Sequence, residues 1–339
     1  MQAWILPYPS PIGQRPLRRV ELPEPVPGPS EVLVRVSACG ICRTDLHVVE
    51  GELAVRRPNI VPGHQVVGTV TALGSGDTAG LQTGQRVGVA WLHHTCGRCR
   101  FCWQGRENLC EAAEFTGWTV PGGYAGALIA DAKFVYPIPE GYTDTLAAPL
   151  LCAGIIGYRC LRLCGLEGRW KGARLGIYGF GAAGHIAIQI ARSRGAEVYV
   201  CTRDHEHHQA LAEELGAAWV GGAAAEPPHK LDAALMFAPA GELVPPALAA
   251  LDRGGVLVLG GIHMSPIPTL NYDWLYGERV VRSVANNTRA DGREFLQEAA
   301  AAGVHTRVRE FGFDEANQAL LTLKQDGIAG AGVLRAPGA

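Results

Sequence analysis

Leu175-Gly-Ile-Tyr-Gly179-Phe-Gly181-Ala-Ala-Gly184-His-Ile-Ala187 decides how the second half of this 339-residue chain folds. An apolar strand runs into G-x-G-x-x-G, and the helix-forming run Ala182-Ala-Gly-His-Ile-Ala follows. In a chain with 44 glycines the motif alone says little; flanked by strand and helix it says much more. Gly179 permits the tight turn and Gly181 lets an anion approach the backbone. Gly184 lets helix pack on strand, and the helix N-terminus is left facing the anion. Such a turn is read as a dinucleotide site.

Outward from it, strands are expected at Arg174–Tyr178, Glu197–Thr202, Leu231–Phe237, Val256–Gly260 and Arg279–Val284. Helices are expected from about Ala182, up to about Leu215, and around Glu242–Leu251. Alternation of this kind builds a doubly wound parallel sheet of Rossmann type. The first third reads differently. Glu31–Val36, Val66–Val70 and Arg86–Ala90 are short strands broken by Pro and Gly, as in a small antiparallel barrel. After about Thr288, a helix over Asp291–Ala302 and a mixed tail are too short for a domain and should rejoin the first one. The expected fold class is α/β, with residues 1–151 and 289–339 forming a β-rich domain and 152–288 the dinucleotide domain.

With 47% hydrophobic and 18% charged residues, the chain suits a globular enzyme with two cores. A net charge of -2 without a basic run gives no purchase on nucleic acid or an anionic membrane, which favours a small neutral substrate. Met1 to Pro16 lacks the pattern of a secretion signal, and no stretch has the roughly 20 apolar residues of a membrane span. A cytoplasmic location is expected. The ten cysteines are then metal ligands or buried thiols rather than a disulfide framework.

The second strand of the dinucleotide domain ends in Thr202 and Arg203, where an acidic ribose ligand is usual. A hydroxyl and a guanidinium suit a 2′-phosphate, favouring NADP over NAD. Asp204 keeps NAD open, since a shift of two residues would restore the acid. His205, His207 and His208 read as a solvated helix start.

Cys96-Gly-Arg-Cys99-Arg-Phe-Cys102 and Cys110 place four thiols at spacings of three, three and eight. A short loop wrapping one tetrahedral zinc needs ligands this close, and full coordination makes the site structural. A disulfide or iron–sulfur reading competes with it. His93 and His94 nearby are read as loop histidines.

Cys39-Gly-Ile-Cys42-Arg-Thr-Asp-Leu-His47, Pro62-Gly-His64-Gln65 and Cys152 complete the pattern. With the four-cysteine lobe and the glycine motif, the whole chain resembles the zinc-containing alcohol dehydrogenases of the medium-chain dehydrogenase/reductase superfamily. The resemblance implies a GroES-like first domain and a catalytic zinc on Cys42, His64 and Cys152, hence two zinc ions per chain. It implies that Thr44 accepts the proton of the alcohol and His47 passes it to solvent, while Arg43 meets the cofactor diphosphate. Asp45 would hydrogen-bond the second ring nitrogen of His64. Trp91 and Trp118 would line a pocket for a primary or aromatic alcohol or aldehyde, between the two domains. A homodimer or homotetramer is implied as well. Cys39, Cys160, Cys164 and Cys201 are left as buried thiols.

Two departures stand out. Gln65 occupies the place where the family usually carries Glu, and Gly330-Ala-Gly-Val-Leu-Arg335 lacks the usual arginine after its glycine. A polyol or other secondary-alcohol dehydrogenase, and a cofactor-binding paralogue without activity, are the competing readings.

Overall fold

The computed structural model describes residues 1–203 and 205–337. The ribose contact considered for Asp204, and the solvent exposure expected of the His205 and His207 side chains, lie outside the described residues. The chain forms two compact units. One holds Met1–Cys152, Thr288–Gln297 and Thr306–Ala339; the other holds Ala153–Asn287 and Glu298–His305. The chain thus rejoins the first unit at Thr288, just ahead of the helix Arg289–Ala301, passes to the second unit within that helix and returns to the first at Thr306.

The first unit is built on a seven-stranded sheet. Its order is Val308–Phe311, Ala331–Arg335, Glu31–Ile41, Gln65–Leu73, Arg86–Val89 and Val135–Pro137, with Ala127–Asp131 also paired to Glu31–Ile41. All these pairs are antiparallel except the first. The C-terminal strands thus extend the sheet begun by the first third of the chain. Val32, Val34, Val66, Val70 and Val87 alternate onto one side and join a core with Leu128 and Leu334, as period-two β-branched patterning requires. The pairing of Gly40 with Gln65 brings the end of one long strand beside the start of the next. Cys42 and His64 thereby arrive at the same end of the sheet.

The second unit is a six-stranded parallel sheet in the order Trp219–Gly221, Glu197–Cys201, Arg174–Tyr178, Leu231–Met236, Leu251–Leu259, Val280–Ser283. The chain winds outward from Arg174–Tyr178 in both directions, so that strand marks the switch point where ligands bind in such sheets. The helices Ala182–Ser193, Ala210–Glu214 and Val244–Ala250 connect the strands. Leu251–Leu259 begins earlier than the sequence suggests, because Leu251 already pairs with Leu231 before a bulge restores the register at Val256. Tyr178, Leu231, Met236, Leu248 and Leu257 fill one face. Among the described residues no single helix is long and apolar enough to cross a membrane.

Candidate active site

The helix Arg43–Glu50 opens at Cys42, whose backbone N–H donates to Asp45 Oδ2 at 2.9 Å while the Thr44 N–H donates to Cys42 Sγ at 3.3 Å. This reciprocal cap fixes both side chains before any ligand arrives. His64 reaches the same place from the loop ahead of Gln65–Leu73. Its neighbour Gly63 has φ +95°, and a Cβ there would come 2.4 Å from the Tyr124 ring. Only glycine fits that turn. Cys152 completes the group at the end of the buried turn Ala148–Leu151.

His64 Nε2 lies 3.3 Å from Cys42 Sγ and 3.3 Å from Cys152 Sγ, and all three ligand atoms fall within 4.8 Å of one another. A tetrahedral zinc with bonds of about 2.3 Å to sulfur and about 2.0 Å to nitrogen needs neighbouring ligands roughly 3.5–3.8 Å apart. The three donors fit such an ion and leave its fourth position to water or a substrate oxygen. Behind them, His64 Nδ1 donates to Asp45 Oδ1 at 2.8 Å, and both groups are buried. Burial pulls the His64 imidazole down, but the adjacent Asp45 carboxylate and Cys42 thiolate outweigh it and hold it up at about 10. That is a pocket crowded with negative charge, which a divalent cation would offset.

Gln65 follows the histidine and is buried, and its Nε2 has no hydrogen-bond partner. The side chain packs where Gly40 would otherwise carry a Cβ, with Gln65 Cδ at 2.9 Å from that position. Thr44 and His47 sit three residues apart, on neighbouring positions of one helix face. His47 Nδ1 is hydrogen-bonded to Glu52. Sequence reasoning missed Glu52; its signal was an acid just past the helix cap Gly51, whose φ of +80° turns the chain back toward His47. Arg43 pairs with Asp326 at 3.7 Å, as a half-buried ion pair.

The ring of Trp91 meets His64 edge-on at 5.1 Å, and Trp118 stacks on Trp91 at 5.8 Å and 12°. The Trp118 indole N–H donates to the Ala54 carbonyl at 2.9 Å. An apolar aromatic wall thus starts at His64.

The Cys96, Cys99, Cys102 and Cys110 sulfurs also lie within 4.8 Å of one another, with two pairs at 3.5 Å. The Arg98 backbone N–H, ahead of the other donors around it, draws Cys96 down to about 6, whereas burial pushes Cys102 up to about 11. All ten cysteines are free thiols. This second set fits a closed zinc site. His93 and His94 are not loop residues: both lie in the strand Leu92–His94, where His93 is buried and His94 Nδ1 donates to Asp131 at 2.7 Å.

In the second unit, Gly179 has φ +87° and its absent Cβ would strike the Ala238 backbone N at 2.7 Å. The space beside Gly181 is open, and no side chain caps the helix Ala182–Ser193. Gly184 packs against Ile177 and the Gly179 carbonyl. An open glycine at an uncapped helix N-terminus fits a diphosphate. Thr202 is buried just past the strand end, and Arg203 is exposed beside it. The reading of His208 as a solvated helix start is corrected: it is 5% exposed, and its Nδ1 donates to the Phe180 carbonyl at 3.0 Å.

Comparison with known proteins places these features in context. The family model of the alcohol dehydrogenase GroES-like domain matches residues 28–140, and that of the zinc-binding dehydrogenases matches residues 182–301. A probable alcohol dehydrogenase of Mycobacterium tuberculosis is 50% identical over 339 residues, covering 98% of this chain and 97% of the relative. A cinnamyl alcohol dehydrogenase of Sorghum bicolor superimposes with a TM-score of 0.88 at 28% identity, over 98% of this chain and 97% of its own. A cobalt- and zinc-bound thermostable alcohol dehydrogenase of Pyrobaculum aerophilum does so with a TM-score of 0.88 at 25% identity, over 99% of each chain.

Proposed function

Because the chain belongs to the zinc-binding alcohol dehydrogenases with a GroES-like domain, we propose that it interconverts primary or aromatic alcohols and their aldehydes, with zinc and a nicotinamide dinucleotide. The observation that carries this reading is the convergence of Cys42, His64 and Cys152, braced by Asp45. Cobalt and zinc in the Pyrobaculum enzyme support a metal on these donors.

When bound, zinc supplies Lewis acidity to the substrate oxygen and the dinucleotide supplies the hydride acceptor. The protein's own part is orientation and proton traffic. Thr44 takes the hydroxyl proton of the alcohol, and His47, one helical turn on, carries it outward. Glu52 keeps a proton on His47 Nδ1, which assigns the exchange to Nε2. Trp91 and Trp118 offer an apolar wall that favours an aromatic or short primary alcohol over a polyol. Thr202 and Arg203 favour NADP. Gln65, neutral and buried, leaves metal-ligand exchange without a protein carboxylate and the metal more electrophilic.

A panel of benzyl alcohol, short primary alcohols and sorbitol with NADP and NAD, alongside zinc analysis, tests the proposal. Benzyl alcohol with NADP should lead, at two zinc ions per chain. Preference for sorbitol would move the enzyme to the polyol branch, and fewer than two zinc ions with no oxidation would make it an inactive paralogue. Unchanged turnover, pH profile and zinc retention in Gln65→Glu would refute the role given to Gln65. Cytoplasmic residence and a homodimer or homotetramer belong to the same proposal, and sedimentation of the purified enzyme tests the assembly.

A further inference from the structure

Two buried imidazoles bear on the glycine-rich turn, and neither belongs to the proton path. His208 Nδ1 lies 3.0 Å from the Phe180 carbonyl oxygen, and His185 Nδ1 lies 3.2 Å from that of Gly181. A carbonyl only accepts, so each Nδ1 carries a proton. In a trans peptide the C=O and the following N–H point in opposite directions. An imidazole fastened to the Phe180 carbonyl therefore also aims the N–H of Gly181, at the open and uncapped start of the helix Ala182–Ser193.

His185 repeats a constraint the helix already imposes, because its backbone N–H donates to the same Gly181 carbonyl at 3.1 Å. His208 adds a new one. It reaches across 28 residues from a π-helical turn, His205–Gln209. Such turns are rare and are often found at functional positions. The adjacent Gln209 donates through Nε2 to the Thr202 carbonyl at 2.8 Å. Two consecutive side chains thus fasten this segment, one to the diphosphate turn and the other to the strand end that leads into Arg203.

We propose that His208 is a positioning residue for the dinucleotide: its Nδ1–H holds the Phe180–Gly181 peptide plane so that the Gly181 N–H faces the cofactor diphosphate. The proposal rests on the reading of this turn as a dinucleotide site.

The test compares zinc-loaded wild type with His208→Leu and His208→Asn by calorimetric titration of NAD and of NADP, with zinc content and melting temperature alongside. Leu keeps bulk and removes the donor, and should raise both dissociation constants about three- to tenfold, the size of one misplaced hydrogen bond. The factor should be the same for both cofactors, since they share the diphosphate. Asn places an N–H where Nδ1 stood and should restore binding to within about twofold. Unchanged affinity in His208→Leu, a loss confined to one cofactor, or failure of Asn to restore binding would each overturn the proposal. If the Leu variant does not fold, His208→Gln decides, because its donor sits one bond farther out: tight Asn and weak Gln support the proposal, and equal affinities overturn it. Wild type binding neither dinucleotide would instead remove the dinucleotide reading itself.

Discussion

Replacing Asp45 by Asn exchanges one carboxylate oxygen for an NH₂ group and leaves the amide no good orientation. The carboxylate accepts from His64 Nδ1 at 2.8 Å through one oxygen and from the Cys42 N–H at 2.9 Å through the other, and Asp45 is only 2% exposed. With the amide oxygen toward His64, its NH₂ faces the Cys42 N–H, donor against donor, and the helix cap is lost at a cost of about 1 kcal/mol. With the amide reversed, its NH₂ faces Nδ1 and forces the imidazole proton onto Nε2, the atom aimed at Cys42 and Cys152. Either way the charge that supports the histidine is gone. Loss of such a supporting partner weakens metal affinity by about 10- to 100-fold, or roughly 1.4–2.7 kcal/mol. Asp45→Asn challenged with a chromophoric zinc chelator should surrender one zinc at that much lower chelator strength and retain the other, in the four-thiol lobe. Two zinc ions released at wild-type chelator concentrations, from a protein of unchanged melting temperature, would refute the reasoning.

Glu52→Gln should lower kcat by about threefold to tenfold at unchanged zinc content, as His47 loses the partner that fixes its ring; steady-state rates at saturating substrates check this. Arg289 donates to Glu107 from its backbone N–H at 2.8 Å, from Nε at 3.0 Å and from Nη2 at 2.6 Å, with its guanidinium 4.7 Å from the Phe134 ring centroid. Glu107→Gln should cost about 2 kcal/mol, below the full penalty for a broken buried pair because Arg289 is 31% exposed. Calorimetry should show the transition about 4–8 °C lower, and a shift under about 1 °C would contradict it. Burial raises the Glu50 carboxyl, but the Lys324 ammonium and the Ile12 N–H more than reverse this and hold it below the usual carboxylate value of 4.5. Its stabilising contribution, about 1 kcal/mol with Lys324 44% exposed, is complete above that value and is lost as pH falls through the lowered one. Lys324→Gln should flatten this part of the acid limb of the melting curve, and an acid limb parallel to wild type would count against the pair.

What the sequence made legible was whatever acts over short range. The glycine turn lies between its own strand and helix, and four cysteines within fifteen residues announce one lobe. The candidate open metal site was legible only through family resemblance, because Cys42, His64 and Cys152 are spread over more than a hundred residues, and ten cysteines and eleven histidines offer many other combinations by residue type. His208 escaped because a run of polar residues gives no sign of a carbonyl 28 positions earlier. Glu107 and Arg289 are 182 residues apart, and nothing local marks either as a partner. Glu52 reads as a loop acid until the left-handed turn at Gly51 returns it to His47.

Cys152 stands 88 residues beyond His64 and ends the first of the three segments that make up the first unit. An ion shared by these two side chains would be a cross-link as well as a reagent, closing a loop that contains the entire four-thiol lobe. By the chain-entropy argument applied to covalent bridges, a closure of that span takes the equivalent of about 4–5 kcal/mol of freedom from the unfolded chain. Loss of the ion would then loosen the span between the two ligands as a block, and protease sensitivity between residues 65 and 151 would follow the metal rather than the substrate.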